Sequence, residues 1–262
     1  MLTAEQRSEV AGWLREAERD RAPIDPLIAA YPALDATDAY EIQLENIRRR
    51  PGPVVGHKVG LSSLAMQQMM GVDEPDYGHL LSEMRLSSDV PVDAGRYCYP
   101  RVEVEVGFVL GDDLPGEGCT EADVLDRTEA LAPAIELIDS RIVDWRISLA
   151  DTIADNASSA GFVLGAARVR PSDVDICGID ATLTRNGDLV AAGRSDAVLG
   201  NPVIAVAWLA RTVAGFGVRL RAGHIVLPGS CTRAIDARPG DEFRASFTGL
   251  GDVALSFNGS AS

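Results

Sequence analysis

The sequence predicts a mixed α+β fold, on three observations. Residues 1–52 carry apolar side chains at helical spacing. From about residue 53 the texture changes to short β-type runs separated by turns. The later strands and helices are interspersed without the regular βαβ rhythm of a doubly wound sheet. The chain has 262 residues, enough to bury a substantial core. It divides at PGP, 51–53, into an N-terminal helical section, 1–52, and a mixed α+β catalytic core, 53–262, the two integrated in one domain.

Thr3 and Gln6 stand in capping-box spacing, and Val10, Trp13, Leu14 and Ala17 follow along one face, which predicts a helix over 3–20. After the YPALDAT loop, Tyr40, Leu44 and Ile47 form the stripe of a second helix. It closes on Arg48, Arg49 and Arg50, where cations suit the C-terminal dipole, and PGP then breaks it. This front section reads as a helical cap or an oligomer contact. PVVGHKVGL reads as a strand, SLAMQQMMG as a short helix and the alternating RVEVEVGFVL as a strand. Thr120 caps a helix expected over EADVLDRTEALA, which Pro133 ends before the apolar run AIELI. Asn201-Pro202 starts a helix whose face is Val206, Leu209 and Val213. In the tail, Phe243, Ala245 and Phe247 face Val253, Leu255 and Phe257 across a Gly-containing turn.

A formal charge of -15 argues against a nucleic-acid or anionic-membrane surface, since both need a basic face. An anionic small substrate stays open, because a bound dication reverses the local field. No apolar run approaches the ~18 residues of a spanning helix. The opening MLTAEQRSEV has neither the basic nor the apolar region of a secretory signal, so a cytoplasmic location is expected. Cys98, Cys119, Cys177 and Cys231 lie far apart with no C-x-x-C spacing and read as reduced, structural thiols. His57, His79 and His224 are scattered as well. A zinc centre and a Ser-His-Asp triad are therefore poorly supported, and no G-x-S-x-G elbow is present.

Lys58, in GHKVGLSS, is the chain's only lysine among 24 basic side chains. Arginine stays protonated at any workable pH, whereas a lysine can be desolvated and made to release its proton. That position is either chemical or a residue of arginine-rich coding. RVEVEV places Glu103 and Glu105 on one strand face and Val102, Val104 and Val106 on the other. Alone, the pair reads first as the solvated acidic side of an edge strand. Glu136 changes the balance: within APAIELI a lone carboxylate has a large desolvation cost unless it is paired or metal-bound. Three such carboxylates would make an all-oxygen site for Mg²⁺ or Mn²⁺. DTIADNASSAGF carries Asp151, Asp155, Asn156, Ser158 and Ser159, either a self-bonded loop or a polar pocket wall. VLPGSCTRA offers backbone N–H groups and hydroxyls at Gly229, Ser230 and Thr232 that would cradle a carboxylate. Asp76, in EPDYGHL, is a candidate acid or base or else an exposed turn residue.

GHKVGLSS, MMGVDEPDYGHLL, RVEVEVGF, the long run from AIELIDSR to SSAGFVLG, and VLGNPVIAVAWLA together resemble the 2-keto-4-pentenoate hydratase branch of the fumarylacetoacetate hydrolase superfamily. MQQMMGVDEPDYGHLL and LPGSCTRAIDARPGD look most like actinobacterial 2-hydroxyhexa-2,4-dienoate hydratases of steroid degradation. The resemblance implies a mixed β-sheet roll or barrel of the fumarylacetoacetate hydrolase C-terminal-domain type. It places the metal ligands on Glu103, Glu105 and Glu136, the active-site lysine on Lys58 and the acidic partner on Asp76. Ser158 and Ser159 match the pocket-lining D-N-x-S stretch, and Ser230 is a further substrate-binding candidate.

The implied activity is metal-dependent addition of water to a 2-hydroxypenta-2,4-dienoate or 2-hydroxyhexa-2,4-dienoate, giving a 4-hydroxy-2-oxo acid in meta-cleavage catabolism of aromatic or steroid rings. The related 4-oxalocrotonate decarboxylases share the metal ligands, but PDYGHLL and DSRIVDW look more like the hydratases. Hydrolysis of an acylpyruvate is a further enzymic alternative. A non-catalytic assembly subunit is the alternative of another class, and it predicts loss of Lys58 or of a metal carboxylate, all of which are present. The implied partners are a small 2-hydroxydienoate, further copies in a homo-oligomer and a downstream aldolase, with no nucleic acid and no membrane.

Overall fold

A computed structural model describes residues 1–63, 66–68 and 71–258. Helix α1, Ala4–Asp20, starts on the expected capping box: the Gln6 N–H donates to Thr3 Oγ1 at 3.2 Å and the Thr3 N–H to Gln6 Oε1 at 2.9 Å. It buries Val10, Ala11, Leu14 and Ala17. The single turn α2, Leu27–Ala30, is held by Asp151, whose Oδ1 accepts the Leu27 N–H at 2.6 Å. Helix α3, Ala36–Arg48, packs on α1. Its buried Gln43 donates to the carbonyls of Tyr77 at 2.9 Å and Ile153 at 2.8 Å. One hydrophobic cluster runs from Val10 in α1 to Phe257 in the last strand, so the helical section and the rest share a core.

The larger sheet has seven strands. Its path is β2 (Asp76–Leu81), β1 (Val54–Gly60), β9 (Ile225–Leu227), β4 (Arg101–Leu110), β5 (Thr128–Ile138) and β6 (Ser159–Leu164), with β10 (Ile235–Asp236) paired to β4. The β1–β9 pair is parallel and its neighbours are antiparallel, so the sheet is mixed. Its two ends approach each other: just beyond β2, Arg85 bridges Phe162 of β6, and the Leu86 N–H donates to the Phe162 carbonyl at 2.8 Å. The sheet is thereby curled into the expected roll. A second sheet, ordered β3 (Val92–Asp93), β12 (Gly251–Asn258), β11 (Glu242–Phe247), β7 (Asp180–Arg185) and β8 (Asp188–Arg194), packs on β5 through β11 and β12. The predicted tail hairpin is the β11–β12 pair, with Phe243 opposite Leu255 and Ala245 opposite Val253.

Two expectations need correction. The helix after Thr120 is only Glu121–Arg127, α4, and TEALAP is already strand β5. Helix propensity yields here to ten residue pairs formed with β4, from Leu110 opposite Thr128 to Arg101 opposite Ile138. Pro133 fits inside β5 because its carbonyl accepts from Gly165 just as the β6 ladder ends, so its missing N–H falls where β6 turns away. Second, β4 lies between β9 and β5, so Glu103 and Glu105 are not on an edge strand. Of the short helix expected over SLAMQQMMG, residues 66–68 are helical; Leu64, Ala65, Met69 and Met70 lie outside the described residues. The helix at Asn201-Pro202 is α6, Pro202–Ala214; α5 spans Leu149–Ala154. No helix among the described residues is long and apolar enough to cross a membrane.

Candidate active site

The period-2 alternation of β4 sends Val102, Val104 and Val106 into the main hydrophobic cluster and Glu103 and Glu105 to the inner face of the roll. Glu136 on β5 pairs directly with Glu103, so their side chains share that face. One oxygen from each of Glu103, Glu105 and Glu136 lies within 4.8 Å of the other two. From β1, Lys58 brings its Nζ to 3.5 Å from Glu136 Oε2. Asp76 opens β2 opposite Gly60 and is 1% exposed, which removes the exposed-turn reading. A Cβ at Gly60 would stand 2.1 Å from Asp76 Oδ1 and 3.5 Å from Lys58 Nζ, so only glycine leaves room for this acid beside this amine.

Five ionisable groups share this interior. Burial alone would lower the Lys58 ammonium, but Glu136, then Glu103, Asp76 and Glu105, overcome it and raise its pKa. The lysine is thus held charged rather than made to release its proton, contrary to the chemistry its rarity invited. Burial pushes Glu136 up to about 7 against the pull of Lys58. It raises Glu105 well above the carboxylate range, with Glu136 and Glu103 adding repulsion. Glu103 and Asp76 are raised by burial too, each opposed by Lys58.

One ammonium cannot balance this many carboxylates, and Glu105 Oε1 with both oxygens of Glu136 is buried without a hydrogen-bond partner among the described residues. An all-oxygen set with spare lone pairs suits a hard dication. The residues present therefore fit a divalent metal.

Serine placement is uneven. Ser158 and Ser159 are both buried, Ser159 beside Glu136, and neither hydroxyl has a partner among the described residues. Ser230 instead turns to β4, accepting the Val104 N–H at 3.1 Å and contacting the Val104 carbonyl at 3.3 Å. The carboxylate cradle in that turn holds the chain's own Glu105: the Gly229 N–H donates to Glu105 Oε2 at 2.7 Å.

Residues that sequence reasoning passed over include Thr152, whose hydroxyl donates to Asp76 Oδ2 at 3.2 Å. Asn156, in the stretch expected as either a self-bonded loop or a polar pocket wall, brackets His79, accepting its N–H at 2.8 Å and donating to its carbonyl at 3.0 Å. The three histidines, scattered in sequence, meet behind β1. The rings of His57 and His79 are 4.8 Å apart and those of His57 and His224 are 5.9 Å apart.

Residues 83–257 match the family model of the fumarylacetoacetate hydrolase C-terminal domain. Over 259 residues, 98% of this chain and 96% of its relative, the sequence is 41% identical to 2-keto-4-pentenoate hydratase of Paraburkholderia xenovorans. The chain belongs to the 2-keto-4-pentenoate hydratase family. A further relative is the 2-hydroxyhexa-2,4-dienoate hydratase of Comamonas testosteroni, 38% identical over 249 residues, 93% of this chain and 94% of that one. Among solved structures, the 4-oxalocrotonate decarboxylase of Pseudomonas putida G7, complexed with magnesium and adipate, superposes with a TM-score of 0.94. It is 33% identical across 98% of this chain and 99% of that chain. Membership of the hydratase family makes this chain an enzyme of hydro-lyase type, and the roll described above is the fold of that family.

Proposed function

We propose that this chain is a divalent-metal-dependent hydratase that adds water to a 2-hydroxy-2,4-dienoate to give a 4-hydroxy-2-oxo acid. The observation that carries this reading is the convergence of Glu103, Glu105 and Glu136 with Lys58 and Asp76 inside a member of the hydratase family. A Mg²⁺ or Mn²⁺ ion held by the three glutamates would supply Lewis-acid polarisation of the substrate's C1 carboxylate and C2 oxygen. The decarboxylase neighbour was solved with magnesium and, separately, with calcium, which supports a divalent ion here.

The chain's own residues supply the proton traffic. First the 2-hydroxyl releases its proton and C5 gains one, leaving a 2-oxo-3-enoate. Then water gives its hydroxyl to C4 while C3 gains a proton. Lys58, held as an ammonium, stabilises negative charge gathering on the substrate oxygens. Asp76, raised by burial, holds a proton closer to neutrality than an ordinary aspartate and serves as the acid or base of these transfers. Each such group would contribute ~10² to 10⁴ in rate. The free hydroxyls of Ser158 and Ser159 orient the substrate, and Ser230 braces the turn that carries Gly229.

The decarboxylase likeness keeps a second reading in view: the same carboxylates would serve loss of CO₂ from a 2-oxo acid. The deciding experiment offers metal-stripped protein, with Mg²⁺ or Mn²⁺ restored, 2-hydroxypenta-2,4-dienoate, its hexadienoate homologue and 4-oxalocrotonate separately. Metal-dependent loss of dienol absorbance with formation of a 4-hydroxy-2-oxo acid and no CO₂ is the expected result. Release of CO₂ from 4-oxalocrotonate, with both dienols untouched, would establish the decarboxylase instead.

A further inference from the structure

Asn156, Ala157 and Ser158 have φ of 56°, 48° and 55°, the longest run of left-handed non-glycine residues among the described residues. Each such residue costs ~1–2 kcal/mol unless its surroundings compensate, with asparagine the most tolerant. Something outside the turn must therefore hold it.

The holder is Arg141, buried in the turn that follows β5. Its Nε donates to Asp155 Oδ1 at 2.6 Å and its own backbone N–H to Asp155 Oδ2 at 2.9 Å. Nη2 donates to the Asp155 carbonyl at 2.6 Å and Nη1 to the Asp139 carbonyl at 2.7 Å. The guanidinium thus grips both the side chain and the backbone of the residue just before the strained run. At its other end, the Ser158 carbonyl accepts the Asp139 N–H at 2.8 Å.

What the segment presents is the reaction centre. Thr152 bonds Asp76, Asn156 clamps β2 at His79, and Ser159 lies beside Glu136. A buried ion pair adds little net stability compared with apolar packing, which leaves the place of this one beside the reaction centre to be explained.

We propose that Arg141 and Asp155 are positioning residues for the hydration reaction. Their pair fixes the left-handed Asn156–Ser158 turn and thereby sets Asp76, Ser158 and Ser159 against Lys58 and the three glutamates, without touching substrate. This rests on the hydratase reading above.

Arg141→Lys tests it, because lysine keeps the charge but cannot span the Asp155 carboxylate and two carbonyls at once. Turnover should fall ~10²-fold, as a shift of about 1 Å at reacting groups does, with KM and Mn²⁺ affinity changed less than about threefold. Amide hydrogen exchange across 156–159 should quicken about tenfold or more. Adding Ala157→Gly, which accepts positive φ without penalty, should restore exchange protection and at least about tenfold of the lost kcat. Asp155→Asn, with and without Ala157→Gly, repeats the comparison where Arg141→Lys does not fold.

Wild-type kcat in the single variants overturns the proposal. So does a kcat loss that persists after Ala157→Gly has restored protection of the turn. Exchange needs neither metal nor substrate. A wild-type protein inert toward dienols would therefore sink the hydratase reading, while the exchange data still judged the grip of Arg141 on the turn.

Discussion

Lys58 Nζ lies 3.5 Å from Glu136 Oε2 although β9 and β4 stand between their strands. On a flat sheet, three inter-strand steps of about 4.8 Å would part the two backbones by about 14 Å. Curling of the sheet brings the side chains together on its concave side, so the site is a product of sheet curvature.

Lys58→Arg should lose turnover by ~10² or more, because a planar guanidinium cannot occupy a point-charge position among four carboxylates. Lys58→Met should be equally inactive yet bind Mn²⁺ more tightly, since the cation competing for Glu136 is gone. Dienol absorbance and titration calorimetry read the two effects. Near-normal activity of Lys58→Arg would remove Lys58 from the mechanism.

The metal-free protein should lose stability as pH rises. Burial places Glu136 at about 7 in the folded state, above its unfolded value of about 4.3. Between those values the folded state holds a proton that the unfolded state has released. That contribution is complete below about pH 4.3 and is lost as pH climbs through 7. Glu103, Glu105 and Asp76 are shifted the same way. Thermal melts of chelator-treated protein should show a lower Tm at about pH 8 than at about pH 6, and saturating Mg²⁺ should remove most of the difference. A Tm that rose over this range without metal would contradict the electrostatics described.

At the acid end the histidine cluster works in the opposite direction. Burial lowers His79 to about 4 and His57 well below its ordinary value, while their unfolded value is about 6.5. Below pH 6.5 the unfolded chain gains protons that the folded interior refuses, so stability drains toward pH 4. His79→Gln should therefore gain on the wild type by about 1.4 kcal/mol per pH unit across that window, measured by urea titration. Parallel pH curves for the two proteins would show that His79 does not titrate with unfolding.

Gly60→Ala should separate function from folding. The added methyl meets the Asp76 carboxylate, and forcing Asp76 aside should cut kcat at least tenfold. The overpacking itself costs ~1–3 kcal/mol. Activity and Tm measured together would show whether the loss of rate exceeds the loss of folded protein.

Local signals in the sequence were legible where their physics is local. The Thr3–Gln6 box, the alternation through Glu103 and Glu105, and the tail hairpin each depend on residues a few positions apart. Glu136 stood out because a carboxylate in an apolar run demands a partner. Long-range pairing hid the rest. TEALAP has helical composition and becomes strand only because β4 lies alongside it. The burial of Asp76 and the meeting of His57, His79 and His224 depend on which strands adjoin. Gly229, which the sequence offers as part of a carboxylate cradle, serves the chain's own Glu105, because only the fold decides which acid reaches the turn.

The single lysine also makes the protein a gauge of its own opening. Lys58 is 3% exposed inside β1, so acylating reagents and a lysine-specific protease find no lysine target while the roll stays closed. Modification at Lys58, or scission of the Lys58–Val59 bond, would count the moments when the roll parts at the proposed site of turnover.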